Sequence, residues 1–393
     1  MPGQLELAEA ESQRLSLISV MNTKRNPDIE ALRALAILLM MTYHYAYSIT
    51  GIVTTPFRRI LLEGFCQMAM LLFYGISGFG AYLSLEGKKG QEGPFSFARK
   101  RLLRLIPQYY AALAAVVLPK LGEFLCPLGF FRIAAALLFL QNFFLRTDLF
   151  VIGVAWTLGV LMQFYLLAPL LYRLIRKYDF WVWPVCLVLT LSLRIGIGWL
   201  IQREGWPALY YCIFSIRQIY TTLDIFAAGM LAGRYYREGR CRLDPLPARL
   251  LTLCGIPAAL SAFIAIVYTG RKQYVWAFHI RSWAWQPLLG LLIAGLLFCA
   301  AQMALSWRSL PGKACQFLAR NEYGIYLWHM LWMSFVSGHL TSFHTLEAGH
   351  PRLLFLVMMA GAILVGTLSC QLLEPLLLRG VSSLRQHWES RAS

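Results

Sequence analysis

Charge is scarce in this 393-residue sequence: Asp, Glu, Lys and Arg make up 14% of it, against roughly 25% in a soluble domain. Acidic residues are the scarcer kind, 19 against 36 Lys and Arg. The apolar share is 58% and the mean hydropathy +0.57, a balance that argues against a soluble enzyme. The nine cysteines include no C-x-x-C pair and sit mostly within apolar runs, so neither a zinc site nor a disulfide framework is indicated. They read as small buried apolar side chains. Residues 1–29 lack the apolar core of a cleaved signal peptide and are expected to form a polar tail, with the first span an uncleaved anchor. There is no fixed-period repeat and no Pro- or Ser-rich linker. The longest polar loops, at 86–105 and 234–249, are too short to fold alone. Any chemistry must therefore belong to one polytopic domain.

The formal net charge of +17 would suggest a nucleic-acid partner on a soluble protein. Here the bases cluster between apolar stretches, as the positive-inside rule requires, so nucleic acid is excluded and membrane lipids are expected. Apolar runs long enough to cross a bilayer fall at about 31–50, 62–85, 107–121, 155–172, 181–201, 215–233, 250–269, 285–306, 321–338 and 353–378. The stretch 130–145 is short and ends in Gln141-Asn142, which fits a re-entrant or interfacial helix. The fold expected is an all-α integral membrane bundle of about ten transmembrane helices. With the N-terminus inside, 23 bases fall in cytoplasmic segments and 11 in outer loops, which favours both termini in the cytoplasm. The division follows: tail 1–29, membrane domain 30–378, tail 379–393.

Ionisable side chains within spans are costly and face the bundle interior or a water-filled cavity. Arg33 and His44 lie eleven residues apart in the first span. Eleven helical steps return to within ~20° of the starting direction and climb ~16 Å, so the two share one face at different depths. Histidine is suited to moving a proton near neutral pH, and arginine is a fixed cation for phosphate or carboxylate. The alternatives are snorkelling for Arg33 and an interhelical hydrogen bond for His44. Arg101 and Arg104, three residues apart at the start of the third span, could clamp a phosphorylated ligand or serve only as positive-inside charge. In N-E-Y-G-I-Y-L-W-H, residues 321–329, Glu322 and His329 share a face with Tyr326 and Tyr323 alongside. Glu374 lies near the end of the last span, where interface exposure explains it equally well. Asp224 and Arg194 are further intramembrane charges able to pair with each other.

Together these segments resemble the acyltransferase 3 family of polytopic membrane O-acyltransferases, over about residues 27 to 378. The first span, E-A-L-R-A-L-A-I-L-L-M-M-T-Y-H, resembles the family's opening helix, with ten residues between arginine and histidine. L-F-Y-G-I-S-G-F (72–79), which carries Ser77, is similar to its second helix, R-L-L-R-L-I-P (101–107) to its Arg-x-x-Arg loop, and F-L-Q-N (139–142) to a segment before its fourth helix. W-T-L-G-V-L-M-Q-F-Y-L-L-A-P (156–169), Y-G-I-Y-L-W-H (323–329) and L-L-E-P (372–375) complete the order. The resemblance implies transfer of an acyl group, commonly acetyl from acetyl-CoA, to a hydroxyl of a carbohydrate or lipid-linked glycan across the membrane, in a bacterial inner membrane and without a metal. Residue by residue, it implies that His44 is the essential histidine, Arg33 its partner arginine, and Arg101 and Arg104 the pair associated with CoA. One departure stands out: many members carry a glutamate in the W-S-L-x-x-E-x-Q-F-Y stretch, where this chain has Leu161 and Met162.

The chemistry fits the residues independently. A thioester donor is already activated, so the site needs only to deprotonate a hydroxyl or to carry the acyl group briefly itself, and His44 is placed to do either. The competing class is a transporter or flippase for a lipid-linked or small anionic substrate, motivated by ten spans and the internal charges Arg33, Arg194 and Asp224.

Overall fold

The computed structural model describes residues 26–49, 51–87, 94–144, 151–206, 214, 217–270, 280–305, 307–339 and 343–377. Among them the regular structure is helical, with no strand. The expected tails up to residue 25 and from residue 379, and segments 88–93, 145–150 and 271–279 with the bases counted there, lie outside the described residues.

The main helices are α1 (Pro27–Ser48), α2 (Pro56–Glu86), α3 (Pro94–Val117), α4 (Pro127–Leu137), α5 (Ala155–Tyr178), α6 (Val182–Arg203), α7 (Leu223–Glu238), α8 (Pro245–Gly270), α9 (Ile280–Ala300), α10 (Leu310–His339) and α11 (Pro351–Leu368). A π-helical segment, Ser369–Leu373, follows α11. A helix falls on each of the ten apolar runs, and α4 accounts for the short run at 130–145. Among the described residues, five stretches are long and apolar enough to cross a membrane: Pro56–Glu86, Phe95–Phe124, Ala155–Arg203, Pro245–Ala265 and Pro351–Leu377. The stretch Ala155–Arg203 comprises both α5 and α6.

Local chemistry sets the start of α1. Asn26 caps it by accepting from the backbone N–H groups of Asp28 and Ile29, and Pro27 occupies the first turn, where no N–H is needed. The Asn26 amide also donates to the carbonyl oxygen of Ala301 at 2.7 Å, and the Trp307 indole donates to Asp28 at 2.7 Å. The end of the expected tail is thus pinned into the bundle. The third helix begins at Pro94, well ahead of the apolar run at 107–121, so Arg101 and Arg104 stand together on its first half, three residues apart on one side of the helix.

Helix α7 lies at the centre, with every residue from Asp224 to Arg234 buried. It packs on α2 through glycines. A Cβ at Gly78 would stand 2.3 Å from the carbonyl oxygen of Phe226, and one at Gly229 would stand 2.3 Å from that of Gly75. Small residues permit this backbone approach, which supplies the packing that water-driven burial cannot supply between helices in lipid. Phe164 of α5 stacks on Phe226 of α7, with centroids 4.0 Å apart at 13°. The side chains of α5 that do not face this core include the exposed Leu166 and Leu170.

Candidate active site

Helices α1, α2, α3, α5 and α10 surround a cavity of about 640 Å³. On α1 its lining runs from Arg33 to Tyr47, and on α2 from Glu63 to Ser77. Each interval is fourteen helical steps, ~21 Å of rise, so the cavity is a channel along the helix axes. Its two ends differ in chemistry. At one end four arginines, Arg33, Arg101, Arg104 and Arg320, accompany the single carboxylate Glu322. Toward the other, Tyr43, Tyr47 and Trp156 stand with Glu63, Gln67 and Arg217. His44 lines the wall among this second group, between Tyr43 and Tyr47 on α1.

At the basic end, Arg33 Nη1 donates to Glu322 Oε2 at 3.1 Å, and its Nε lies 3.7 Å from Glu30 Oε1. The side chain remains 30% exposed, so the guanidinium is held by carboxylates and still reaches the cavity. Arg101 sits between the Phe97 and Tyr165 rings, with centroids 5.6 and 5.7 Å away. These cation–π contacts fix a charge that would otherwise swing on a flexible stem. A concentration of fixed guanidinium groups binds phosphate oxygens through bidentate hydrogen bonds.

Farther along the channel, the rings of His44 and His329 have centroids 5.2 Å apart. His329 is fully buried and stands behind His44, outside the lining. Its Nδ1 lies 2.6 Å from the carbonyl oxygen of Tyr326. The Tyr45 hydroxyl donates to the backbone oxygen of His329 at 2.9 Å. Tyr326 lines the cavity with its ring, while its hydroxyl donates to the Val154 carbonyl at 2.5 Å and bonds Thr157. That side chain ties α10 to the start of α5.

Ser77 lines the cavity, and its Ser-Gly-Phe segment is explained by three directions: Ser77 toward the channel, Gly78 against α7, and Phe79 against Tyr236. Glu374 is outside the lining, half-buried after the π-helical segment and within electrostatic reach of Arg104. Leu161 faces the cavity and Met162 is buried in the core. The position at which many relatives carry a carboxylate therefore presents an aliphatic wall here. Arg194 and Asp224 pair at 3.6 Å, each 1% exposed, away from the cavity. Among the described residues no group of three His, Cys, Asp or Glu side chains is placed to hold a metal.

Sequence reasoning missed Arg217, Trp156, Glu63 and Tyr43. Arg217 counted as an outer-loop base, yet it lines the cavity, its guanidinium 5.0 Å from the Trp156 ring centroid. A knot of amides holds its backbone. Asn142 Nδ2 donates to the Arg217 carbonyl at 3.2 Å and to Gln218 Oε1 at 3.1 Å, and Gln163 Nε2 donates to Asn142 Oδ1 at 3.0 Å. These partners are up to 76 residues apart in sequence, so no local spacing reveals them.

An all-helical bundle with membrane-length apolar helices, enclosing a channel that is basic at one end and has a histidine on its wall, is the architecture of a membrane protein with an internal polar site. The sequence profile of an acyltransferase domain matches residues 26–370, and the chain belongs to this acyltransferase 3 family. It is 24% identical over 327 residues to the peptidoglycan O-acetyltransferase OatA of Listeria monocytogenes, a match covering 77% of this chain and 48% of that protein. The chain thus spans about half the length of this curated relative. No solved structure matches it.

Proposed function

We propose that this protein is a membrane O-acyltransferase that moves an acyl group, acetyl in the first instance, from cytoplasmic acyl-CoA to a hydroxyl of an extracytoplasmic carbohydrate or glycolipid. The observation that carries the reading is the channel itself. His44 lies along a passage whose basic end suits the phosphates of CoA and whose other end offers the aromatic and polar groups that bind sugars. The family membership supports acyl transfer, and the activity for which the Listeria relative is named, O-acetylation of peptidoglycan, supports a glycan acceptor.

In this reading Arg33, Arg101 and Arg104 hold the donor's phosphates, and the thioester arm runs along the channel toward His44. His44 takes the proton of the acceptor hydroxyl as its oxygen attacks the thioester carbonyl. The C–S bond breaks, and the proton passes to the departing thiolate. Free CoA and an acyl ester result. Arg33, ~16 Å along the helix from His44, serves the donor rather than the reacting carbonyl. Ser77 and Tyr326 shape the channel wall between these groups, and Glu374 sits behind Arg104. The membrane domain is 30–378, crossing ten times with both tails in the cytoplasm of a bacterial inner membrane; the 23-to-11 distribution of bases supports this orientation. For the transport alternative, two of its three motivating charges, Arg194 and Asp224, neutralise each other away from the channel.

The test compares surface glycans of cells with and without the protein by mass spectrometry, and of cells carrying His44→Ala or Arg33→Ala. An added acyl mass in wild type that disappears in His44→Ala is expected. Unchanged acylation in His44→Ala removes that residue from the chemistry.

A further inference from the structure

The Nδ1 of His329 faces the Tyr326 carbonyl at 2.6 Å, and a carbonyl oxygen only accepts. Nδ1 must therefore carry the proton, which leaves Nε2 of the neutral ring as an acceptor. That Nε2 is buried without a hydrogen-bond partner, which is costly for a polar atom. Three rings surround His329: His44 at 5.2 Å, Tyr326 at 6.0 Å and Tyr45 at 6.2 Å between centroids. The hydroxyls of Tyr45 and Tyr326 are already committed, to the His329 carbonyl and to Val154. His44 is the neighbour with an N–H to give. The two rings are tilted by 46°, and because each ring nitrogen lies about 1.1 Å from its centroid, turning His44 so that an N–H points at Nε2 would close the gap to about 3 Å, the span of a hydrogen bond.

We infer that His329 is the positioning residue for His44: its Nε2 accepts the N–H of His44 and so fixes the His44 tautomer that presents a lone pair to the channel. The inference rests on the acyl-transfer reading above. During transfer the acceptor's hydroxyl proton joins the channel-facing nitrogen of His44. The imidazolium then donates its other N–H to His329 Nε2, and the first proton leaves with the thiolate. His329 never takes a proton from substrate. Its neutral, buried ring performs by hydrogen bonding what a buried carboxylate performs for a catalytic histidine elsewhere.

Two substitutions separate this role from packing. His329→Gln places an amide oxygen near the position of Nε2, restoring an acceptor toward His44. His329→Asn places its amide near Nδ1, keeping the bond to Tyr326 and removing the acceptor. Both are assayed in proteoliposomes with labelled acetyl-CoA and a glycan acceptor, with acetyl-CoA binding measured on each. The expected result is a kcat within about 10-fold of wild type for Gln and about 100-fold lower for Asn. KM for acetyl-CoA should stay within about 3-fold in both, and His329→Asn should cost nothing further in a His44→Ala background. Equal activity of the Asn and Gln variants overturns the inference. Should the variants fail to fold, ¹⁵N NMR of histidine-labelled wild-type protein decides: Nδ1-protonated His329 is expected, and an Nε2-protonated ring contradicts it. If wild type transfers no acyl group from CoA, the functional reading itself fails. Wild-type transfer combined with an undiminished Asn variant defeats only the His329 assignment.

Discussion

Arg33 shows how one side chain can serve structure and ligand together. Glu322 and Glu30 meet the cost of placing its charge within the bundle, and its remaining exposure lies on the cavity. A buried charge with such partners persists where an unpaired one would not. Arg101 is held differently, by aromatic faces. Lysine at that position keeps the charge and loses the planar contacts. In the acyltransferase reading, Arg101→Ala and Arg104→Ala each raise KM for acetyl-CoA roughly 10- to 100-fold, the loss of about 1.5–3 kcal/mol for a charge-assisted hydrogen bond, with kcat changed by less than about 3-fold. Arg101→Lys recovers only part of the loss. Steady-state kinetics over a range of donor concentrations separates the two constants, and a fall in kcat at unchanged KM would assign these arginines to the chemistry instead.

At the scale of elements, hydropathy and architecture select different helices. The apolar stretches detected by composition, such as Pro245–Ala265 and Pro351–Leu377, expose leucines to the surroundings: Leu253 is 65% exposed and Leu356 62%. Helices α1 and α10 are too polar to meet the same criterion and α7, at 16 residues, is also too short, and their faces meet protein. They can carry Glu30, Arg33, Asp224, Glu322 and His329, which other helices partner or bury. The polar composition that weakens their membrane signal is what builds the site. The Arg33/His44 and Glu322/His329 spacings were legible in the sequence because helical periodicity fixes which residues share a face. Their pairing across α1 and α10, Arg33 with Glu322 and His44 with His329, was not, because it depends on packing between segments nearly 290 residues apart. The amide knot behind Arg217 was hidden for the same reason. Close helix approach gives a prediction at this scale. Gly78→Ala drives a methyl into the Phe226 carbonyl and should destabilise the detergent-solubilised protein by roughly 1–3 kcal/mol, whereas Gly80→Ala, with open space at its Cβ, should leave thermal unfolding unchanged. Equal effects of the two would show that the α2–α7 contact does not set stability.

For the whole molecule, the proposed ten-crossing arrangement assigns a face to each loop. Cys126 and Cys241 are both exposed free thiols, and the proposed orientation puts the first outside and the second in the cytoplasm, three crossings apart. In right-side-out membrane vesicles, a membrane-impermeant maleimide should modify Cys126 at once and Cys241 only after the membrane is opened. Peptide mass spectrometry identifies each site. Labelling of both in sealed vesicles would mean an even number of crossings between them, as happens if α4 spans rather than re-enters. Labelling of Cys241 alone would invert the protein and place the basic end of the channel outside.

The central claim is that one channel brings a donor from one side and an acceptor from the other to His44. Vesicles of defined orientation, with labelled acetyl-CoA confined to the cytoplasmic face and a membrane-impermeant glycan acceptor confined to the opposite face, test it directly. The account predicts labelled acetyl ester on the glycan with wild-type protein and none with His44→Ala. Ester formed only when donor and acceptor share one face, or formed equally by His44→Ala, would contradict it.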